Sequence, residues 1–259
     1  MRHVLAPARR RVLERFARSR MLLALDFDGT LAPIVADPGR AVMRPSTRRL
    51  LREVARVYPC VIISGRARAD VLRRVRGLGV VEVIGNHGSE PGEAGPALPD
   101  VQRWITRLQG DLGDLPGVRI EDKGLSLAVH YRRSRRKGAA RARILAAAAG
   151  LHDARCLRGK QVLNLLPLGA PHKGHALERV MAQLGLDRAV YVGDDETDED
   201  VFVLGRRGRL LGIRVRRRPA SAAGWYIRTQ AEIDVLLRRL LELRGGPQAT
   251  RREDVKALP

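Results

Sequence analysis

Residues 22–34 read Leu-Leu-Ala-Leu-Asp-Phe-Asp-Gly-Thr-Leu-Ala-Pro-Ile. The apolar run Leu22–Leu25 has the length of a strand and no polar alternation, as in a parallel strand buried on both faces. It ends in Asp26 and Asp28, followed by Gly29 and Thr30. Two carboxylates at the tip of a buried strand repel each other and lose hydration. The position therefore demands a compensating positive charge.

The segments flanking this strand repeat its rhythm. Upstream, residues 2–20 read as a basic amphipathic helix. Downstream, Ser46 is placed as the N-cap of a helix over 47–57. A buried strand follows at 60–64, a helix near 67–75 and a strand at 80–85. Strand–helix alternation of this kind predicts a doubly wound, mostly parallel α/β sheet. The stretch 85–99, rich in Gly and Pro, breaks the rhythm as a linker. Beyond it come a helix over 100–112 and strands at 118–122 and 125–132. A helix over 135–150 and strands at 153–159 and 161–167 complete the order α-β-β-α-β-β, that of an inserted two-layer α+β module. Gly169-Ala170-Pro171 marks the return. Alternation resumes with a helix over 172–184, a strand at 189–192, a short helix after Thr197, a strand at 209–215 and an amphipathic helix over 231–243. The predicted organisation is a discontinuous core of 1–90 plus 168–245, an insert of 95–167, and a flexible tail of 246–259.

In open parallel sheets, ligands bind beyond the carboxyl ends of the strands. Four polar motifs fall there. Asp26 and Asp28 follow the first core strand, Ser64-Gly65-Arg66 the second and Gly85–Gly88 the third, while Asp194, Asp195 and Asp198 follow the strand ending at Val192. Acids gathered from two strands need a cation, and hard carboxylate oxygens without nearby Cys or paired His describe Mg²⁺ rather than zinc. In that arrangement Asp26 is the nucleophile toward a phosphoryl group. Asp28 serves as general acid and base. Ser64 supplies a hydroxyl to the phosphate, and Lys173, opening a helix, a fixed positive charge. Taken singly, each motif has a plainer reading: a cap, a common turn, a solvated acidic helix start. The sequence around Lys173 is not a phosphate-binding P-loop, because the Lys precedes the Gly and no Ser or Thr follows. His172 and His175, spaced i, i+3 without an acid partner, read as surface residues.

Composition narrows the classes. The chain of 259 residues carries a formal net charge of +21, almost all of the excess from Arg, and only 3% aromatics. A nucleic-acid binder built on this core is the non-enzyme alternative. The arginines, however, are spread along the whole chain without aromatic interleaving for base stacking. A positive field also draws in a phosphorylated substrate. No stretch approaches the ~20 apolar residues of a membrane span, and no export signal is evident, so a cytoplasmic monomer is expected. Cys60 and Cys156 read as small core residues in a reducing compartment.

Four motifs in this order carry a resemblance: DFDGTL (26–31 with its strand), ISGR (63–66), Lys173 in HKGHAL, and GDDETDED (193–200). They resemble the motifs of haloacid-dehalogenase-type phosphatases. Residues 22–243 resemble the trehalose-6-phosphate phosphatase branch through VIGNHG (83–88), EDKGLSLAVHYRR (121–133) and KQVLNLLPLGAPHKGHAL (160–177). The resemblance implies Mg²⁺-dependent hydrolysis of trehalose 6-phosphate through an aspartyl-phosphate. It implies Asp26, the backbone carbonyl of Asp28, and Asp194 as Mg²⁺ ligands, with Asp198 in support. It makes the insert a lid-like cap whose Lys123, His130 and Arg132 face the sugar, with Gly65, Arg66, Asn86 and His87 lining the substrate site. One departure stands out. The family pattern before the proline is VxExRP, whereas this chain has Asn164 and Leu166. Another phosphorylated disaccharide or a glycosyl-polyol phosphate therefore stays open as substrate.

Overall fold

The computed structural model describes residues 1–35, 37–90, 98–159 and 161–245. The expected tail of 246–259, residues 91–97 of the linker and with them the expected start of the insert at 95 lie outside the described residues. The chain opens with β1 (Arg2–His3), α1 (Arg10–Ala17), β2 (Met21–Leu25), α2 (Pro45–Val54), β3 (Cys60–Ile63), α3 (Arg68–Val75) and β4 (Glu82–Ile84). The insert runs through α4 (Leu98–Leu112), β5 (Arg119–Asp122), β6 (Leu127–His130), α5 (Lys137–Ala149), β7 (Ala154–Gly159) and β8 (Val162–Pro167). The chain returns in α6 (Lys173–Gln183), β9 (Arg188–Gly193), α7 (Glu199–Phe202), β10 (Leu210–Val215), β11 (Trp225–Ile227) and α8 (Ile233–Arg244).

Seven strands form one sheet in the order β1-β11-β10-β9-β2-β3-β4, with every neighbouring pair parallel. Every residue of β2, β3 and β10 is buried, because helices cover both faces. Leu23 and Leu25 face a layer built from α1, α2 and α8, including Leu13, Phe16, Leu51, Val54, Leu237 and Leu240. Leu22 and Ala24, pointing the other way, meet Leu177 and Val180 of α6 and Phe202 of α7. Strand alternation explains the split, and each such side chain contributes roughly 1.5–3 kcal/mol on burial. From β2 the chain winds outward to β3 and β4. From β9 it winds the opposite way to β10 and β11. The order thus reverses between β2 and β9, where open α/β sheets leave a crevice for ligands.

The second sheet is antiparallel, in the order β5-β6-β8-β7. On one face Leu127, Val129, Leu163 and Leu165 pack against Trp104 and Leu108 of α4 and Ile144 of α5. The Trp104 indole N–H is satisfied by the Asp153 carboxylate at 2.9 Å. The alternate residues, Glu121, His130 and Asn164, lie on the opposite face and line a cleft against the large sheet. Hydrogen bonds cross that cleft. Lys123 Nζ donates to the Gly65 carbonyl (3.0 Å), Asn86 Nδ2 to the Lys123 carbonyl (3.0 Å), and Ser126 Oγ to Asn86 Oδ1 (3.2 Å). Arg155 of β7 grips both oxygens of Asp200 at 2.8 and 2.9 Å.

Several local expectations are corrected. Residues 2–20 are not one helix. Arg2 and His3 pair with Trp225 and Tyr226 at the sheet edge, and Pro7 opens a short 3-10 turn before α1. Proline bars helix in the residue before it, which ends any continuous run there. Ser46 is not the N-cap of α2. Pro45 occupies the first turn, and Arg44 stands at the cap without a side-chain bond. Ser46 Oγ instead donates to Asp234 of α8 at 2.7 Å, tying the two helix starts together. Cys60 is buried as expected, but Cys156 is exposed on the edge strand β7.

Candidate active site

The site begins where β2 and β9 stop. Asp26 N donates to the Val192 carbonyl at 2.9 Å, which sets the first carboxylate beside the loop after β9. Lys173, the first residue of α6 and only 2% exposed, places Nζ 2.8 Å from Asp26 Oδ1 and 2.7 Å from Asp198 Oδ1. Asp198 is saturated: Oδ1 also accepts the Tyr191 hydroxyl at 2.6 Å, and Oδ2 accepts the Asp195 N–H at 2.8 Å. Asp194 completes a triad with Asp26 and Asp198, whose ligand oxygens all lie within 4.8 Å of one another. The Asp194 carboxylate lies over Gly29, and a Cβ there would collide with it. Gly29 also holds φ +80°, which favours glycine.

One ammonium faces three carboxylates, and the electrostatics record the shortfall. Burial raises the Asp26 carboxyl well above its ordinary value. Lys173 opposes the rise, and Asp198 and Asp194 add to it. Asp194 is pushed up to about 7 by burial and then by Asp198 and Asp195. Burial alone lowers the Lys173 ammonium's value, but Asp198 and Asp26 outweigh it and hold the ammonium charged.

Asp28 points elsewhere. Its carboxylate is forked by Arg66, with Nε 2.5 Å from Oδ2 and Nη2 2.7 Å from Oδ1. The same guanidinium donates to Asp70 at 2.9 Å and to the Pro38 carbonyl at 2.7 Å. Arg66, expected among the substrate-binding residues, is thus committed to a carboxylate network. Ser64 is buried at the end of β3, and its hydroxyl accepts the Arg66 N–H at 3.2 Å.

The cleft between the sheets measures about 350 Å³, within the ~300–1,000 Å³ range of small-molecule sites. Asp26, Asp28, Gly65, Arg66, His87, Lys123, His130, Arg132, Lys173 and Asp194 all line it. Ser64, Asn86 and Asp198 lie behind that lining, buried and hydrogen-bonded. His130 Nε2 sits 2.6 Å from Glu121 Oε2, a bond that pulls the Glu121 carboxyl below its ordinary value. Arg132 donates to the Val35 carbonyl. Lys123 lies 3.4 Å from Asn164 Oδ1, and burial depresses its ammonium. His87 is 4% exposed, and neither ring nitrogen has a hydrogen-bond partner among the described residues. Burial, then the charges of Lys123, Lys173 and Arg155, hold it neutral; the nearby Asn164 amide, without hydrogen-bond geometry, opposes them. Asn86 and His87 hold φ of 45° and 59°, a left-handed conformation uncommon outside glycine, better tolerated by Asn and His than by most residues, and frequent at functional sites. The His87 ring packs where a Gly65 side chain would be.

The family model for trehalose-phosphatase matches residues 24–226, a span that holds the whole of this constellation. This chain belongs to the trehalose-phosphatase family. It is 32% identical to trehalose 6-phosphate phosphatase RA3 of Zea mays, over 88% of this chain and 72% of that protein. It is 39% identical to trehalose-phosphate phosphatase of Mycolicibacterium paratuberculosis, over 73% of this chain and 52% of that one. Its fold is that of the C-terminal domain of the C. albicans trehalose-6-phosphate phosphatase, with a TM-score of 0.76 at 22% identity, covering 92% and 97% of the two chains. A sucrose-phosphatase from Synechocystis, solved with sucrose and phosphate, has the same fold at a TM-score of 0.56 and 14% identity over 87% of this chain and 98% of that one. Fold alone therefore does not choose the sugar.

In this member of the family the acidic triad is suited to a metal ion. Its donors are hard oxygens, they are short of positive charge, and the Asp194 carboxylate accepts no hydrogen bond among the described residues, which leaves it available. Other residues of the site were not anticipated from sequence. Glu121 lines the cleft opposite Ala128, on the strand face that carries His130, so the alternation through His130 could have found it. Arg214, Tyr191 and Asp70 sit in unremarkable sequence and are visible only once β9, β10 and α3 are assembled. His175 is exposed as expected, and His172, half-buried, has a further role as the N-cap of α6. Its Nδ1 accepts the Gly174 N–H at 3.1 Å, and its ring stacks on His175 at 3.8 Å.

Proposed function

We propose that this chain hydrolyses trehalose 6-phosphate to trehalose and phosphate through an aspartyl-phosphate on Asp26. The observation that carries the reading is the Lys173 ammonium shared by Asp26 and Asp198 within a charge-deficient acidic nest, in a family whose plant and mycobacterial relatives bear that activity in their names. Mg²⁺ is the ion this nest would hold, through Asp26, Asp194 and the Asp28 carbonyl, with Asp198 fixing Lys173 and the loop behind them. Bound there, it would supply charge to offset the approach of two anions.

Asp26 attacks phosphorus through a carboxylate oxygen, and the ester bond to the sugar breaks. Asp28 gives a proton to the departing sugar oxygen, for which its carboxylate must turn away from one of its Arg66 contacts. It then takes a proton from the water that cleaves the acyl phosphate. Ser64 and Lys173 hold the phosphoryl oxygens. The insert, residues 95–167, acts as a cap over the core of 1–90 and 168–245, excluding water from the reacting centre. Its Lys123, His130 and Arg132, with His87 of the core, meet the sugar hydroxyls, while Asn86 holds the Lys123 turn from behind through its Nδ2 bond to the Lys123 carbonyl.

A second reading, the same chemistry on another disaccharide or glycosyl-polyol phosphate, is favoured by Asn164 and Leu166. Asn164 faces the cleft without charge, and Leu166 can bind no anion. Phosphate release measured over a panel of sugar phosphates, with Mg²⁺ and with EDTA, separates the two. Trehalose 6-phosphate is expected to lead. If it ranks below simple hexose phosphates, the substrate assignment fails while the reaction class stands.

A further inference from the structure

Arg214 is a buried charge that the reaction as written does not use. It lies near the carboxyl end of β10, paired in register with Gly193 of β9, and its side chain is 6% exposed. Its neighbours Leu211, Ile213 and Val215 point into the core layer of α1, α2 and α8. Arg214, on the alternate face, reaches the loop after β9. Nη2 donates to the Asp194 carbonyl at 2.5 Å, and Nη1 donates to the Asp195 carbonyl at 3.0 Å and to Glu199 Oε1 at 2.8 Å. Glu199 is itself held by the Ala222 N–H at 2.8 Å. One planar fork thus joins the first two residues of the acidic loop to the start of α7.

We propose that Arg214 is a positioning residue for the divalent cation: by clamping the Asp194 and Asp195 carbonyls it fixes where the Asp194 carboxylate is presented. The inference rests on the metal reading above. Among the described residues the Asp194 carboxylate has no hydrogen bond of its own to orient it, so its position depends on the backbone that carries it and on the clearance over Gly29. A guanidinium suits the task because three acceptors lie around one rigid plane, which a single ammonium cannot span. Arg214 also lowers the charge deficit at Asp194, in the direction that favours the carboxylate. Partners that orient metal ligands in this way are typically worth about 10–100-fold in metal affinity.

The test measures Mn²⁺ binding to the full chain by electron paramagnetic resonance, and Mg²⁺ by competition, in wild type, R214K, R214Q and E199Q. The control is R218Q, an exposed pair to Glu196 of the same loop, where an effect under about twofold is expected. R214K and R214Q should weaken Mn²⁺ by about tenfold or more. KM for the sugar phosphate should stay unchanged at saturating Mg²⁺, a split that general loosening of the fold would not give. Should R214K fail to fold, E199Q loosens only one corner of the clamp, and a weaker Mn²⁺ affinity than wild type is then required. Wild-type affinity in R214K, or in E199Q where R214K is unfolded, overturns the inference alone. Absence of Mn²⁺ binding to wild type overturns the metal reading and this inference with it.

Discussion

Neutralising Asp194 should stabilise the protein in the absence of a divalent cation. An ordinary aspartate titrates near 3.8, whereas burial, Asp198 and Asp195 push this one up to about 7. At ~1.4 kcal/mol per pH unit the displacement corresponds to about 4 kcal/mol. A direct count gives a similar scale. Like charges within 4.8 Å of each other at an effective dielectric of ~20 repel by about 3.5 kcal/mol or more, and Asp194 has Asp26 and Asp198 inside that distance. Lys173 and Arg214 offset part of that. Because the folded value is raised, the folded state binds the extra proton between about pH 4 and 7. Wild-type stability should therefore fall across that window, and the full penalty should stand above it. No hydrogen bond to the carboxylate is lost in D194N. Urea unfolding with EDTA at pH 8 should show the variant more stable than wild type by about 2–4 kcal/mol, with the gap closing toward pH 5. With Mg²⁺ added, wild type should gain stability by mass action and D194N should not. A D194N protein less stable than wild type in EDTA at pH 8 would refute the claim that this nest is short of positive charge.

Three further outcomes are expected. R66M should lower kcat by about 100-fold with KM little changed, because Asp28 loses the fork that orients it; a pure KM effect in steady-state kinetics would return Arg66 to substrate binding. E121Q should raise KM for the disaccharide phosphate by about tenfold while leaving turnover of p-nitrophenyl phosphate intact; equal effects on both substrates would place Glu121 outside sugar recognition. Burial raises the Asp70 carboxyl, but Arg74 and Arg66 outweigh it and hold it below 3.8. Its contribution to stability is complete above about pH 4 and is lost as acid passes through the lowered value. D70N should cost about 1 kcal/mol at pH 7, and in acid-unfolding curves that cost should shrink as pH falls below about 4 and vanish once the folded Asp70 is itself protonated.

The chemistry-bearing residues were legible because they follow strands whose burial is written as continuous apolar runs. Leu22–Leu25 could only be a central strand, and the tip of a central strand is where Asp26 had to be. Lys173 was legible through the order of motifs rather than through its own surroundings. What the sequence hid depends on assembly. Ser46 looks like a cap until Pro45 takes the first turn and Asp234, 188 residues later, takes the hydroxyl. β1 and β11 are too short to show a period: β11 exists because β10 pairs along it, and β1 because β11 then offers it an edge. Arg214 reads as one more arginine in a chain full of them, and only its register beside Gly193 makes it a clamp. Glu121 is one residue in an ordinary alternation until β5 pairs with β6 and turns it toward His130.

The measurement nearest the central claim is an acid quench of the enzyme during turnover of trehalose 6-phosphate, followed by peptide mass analysis. A phosphoryl group is expected on the peptide carrying Asp26, dependent on Mg²⁺ and absent in D26N, which should release no phosphate. A phosphoryl group on another residue, or phosphate released by D26N at the wild-type rate, would contradict that claim.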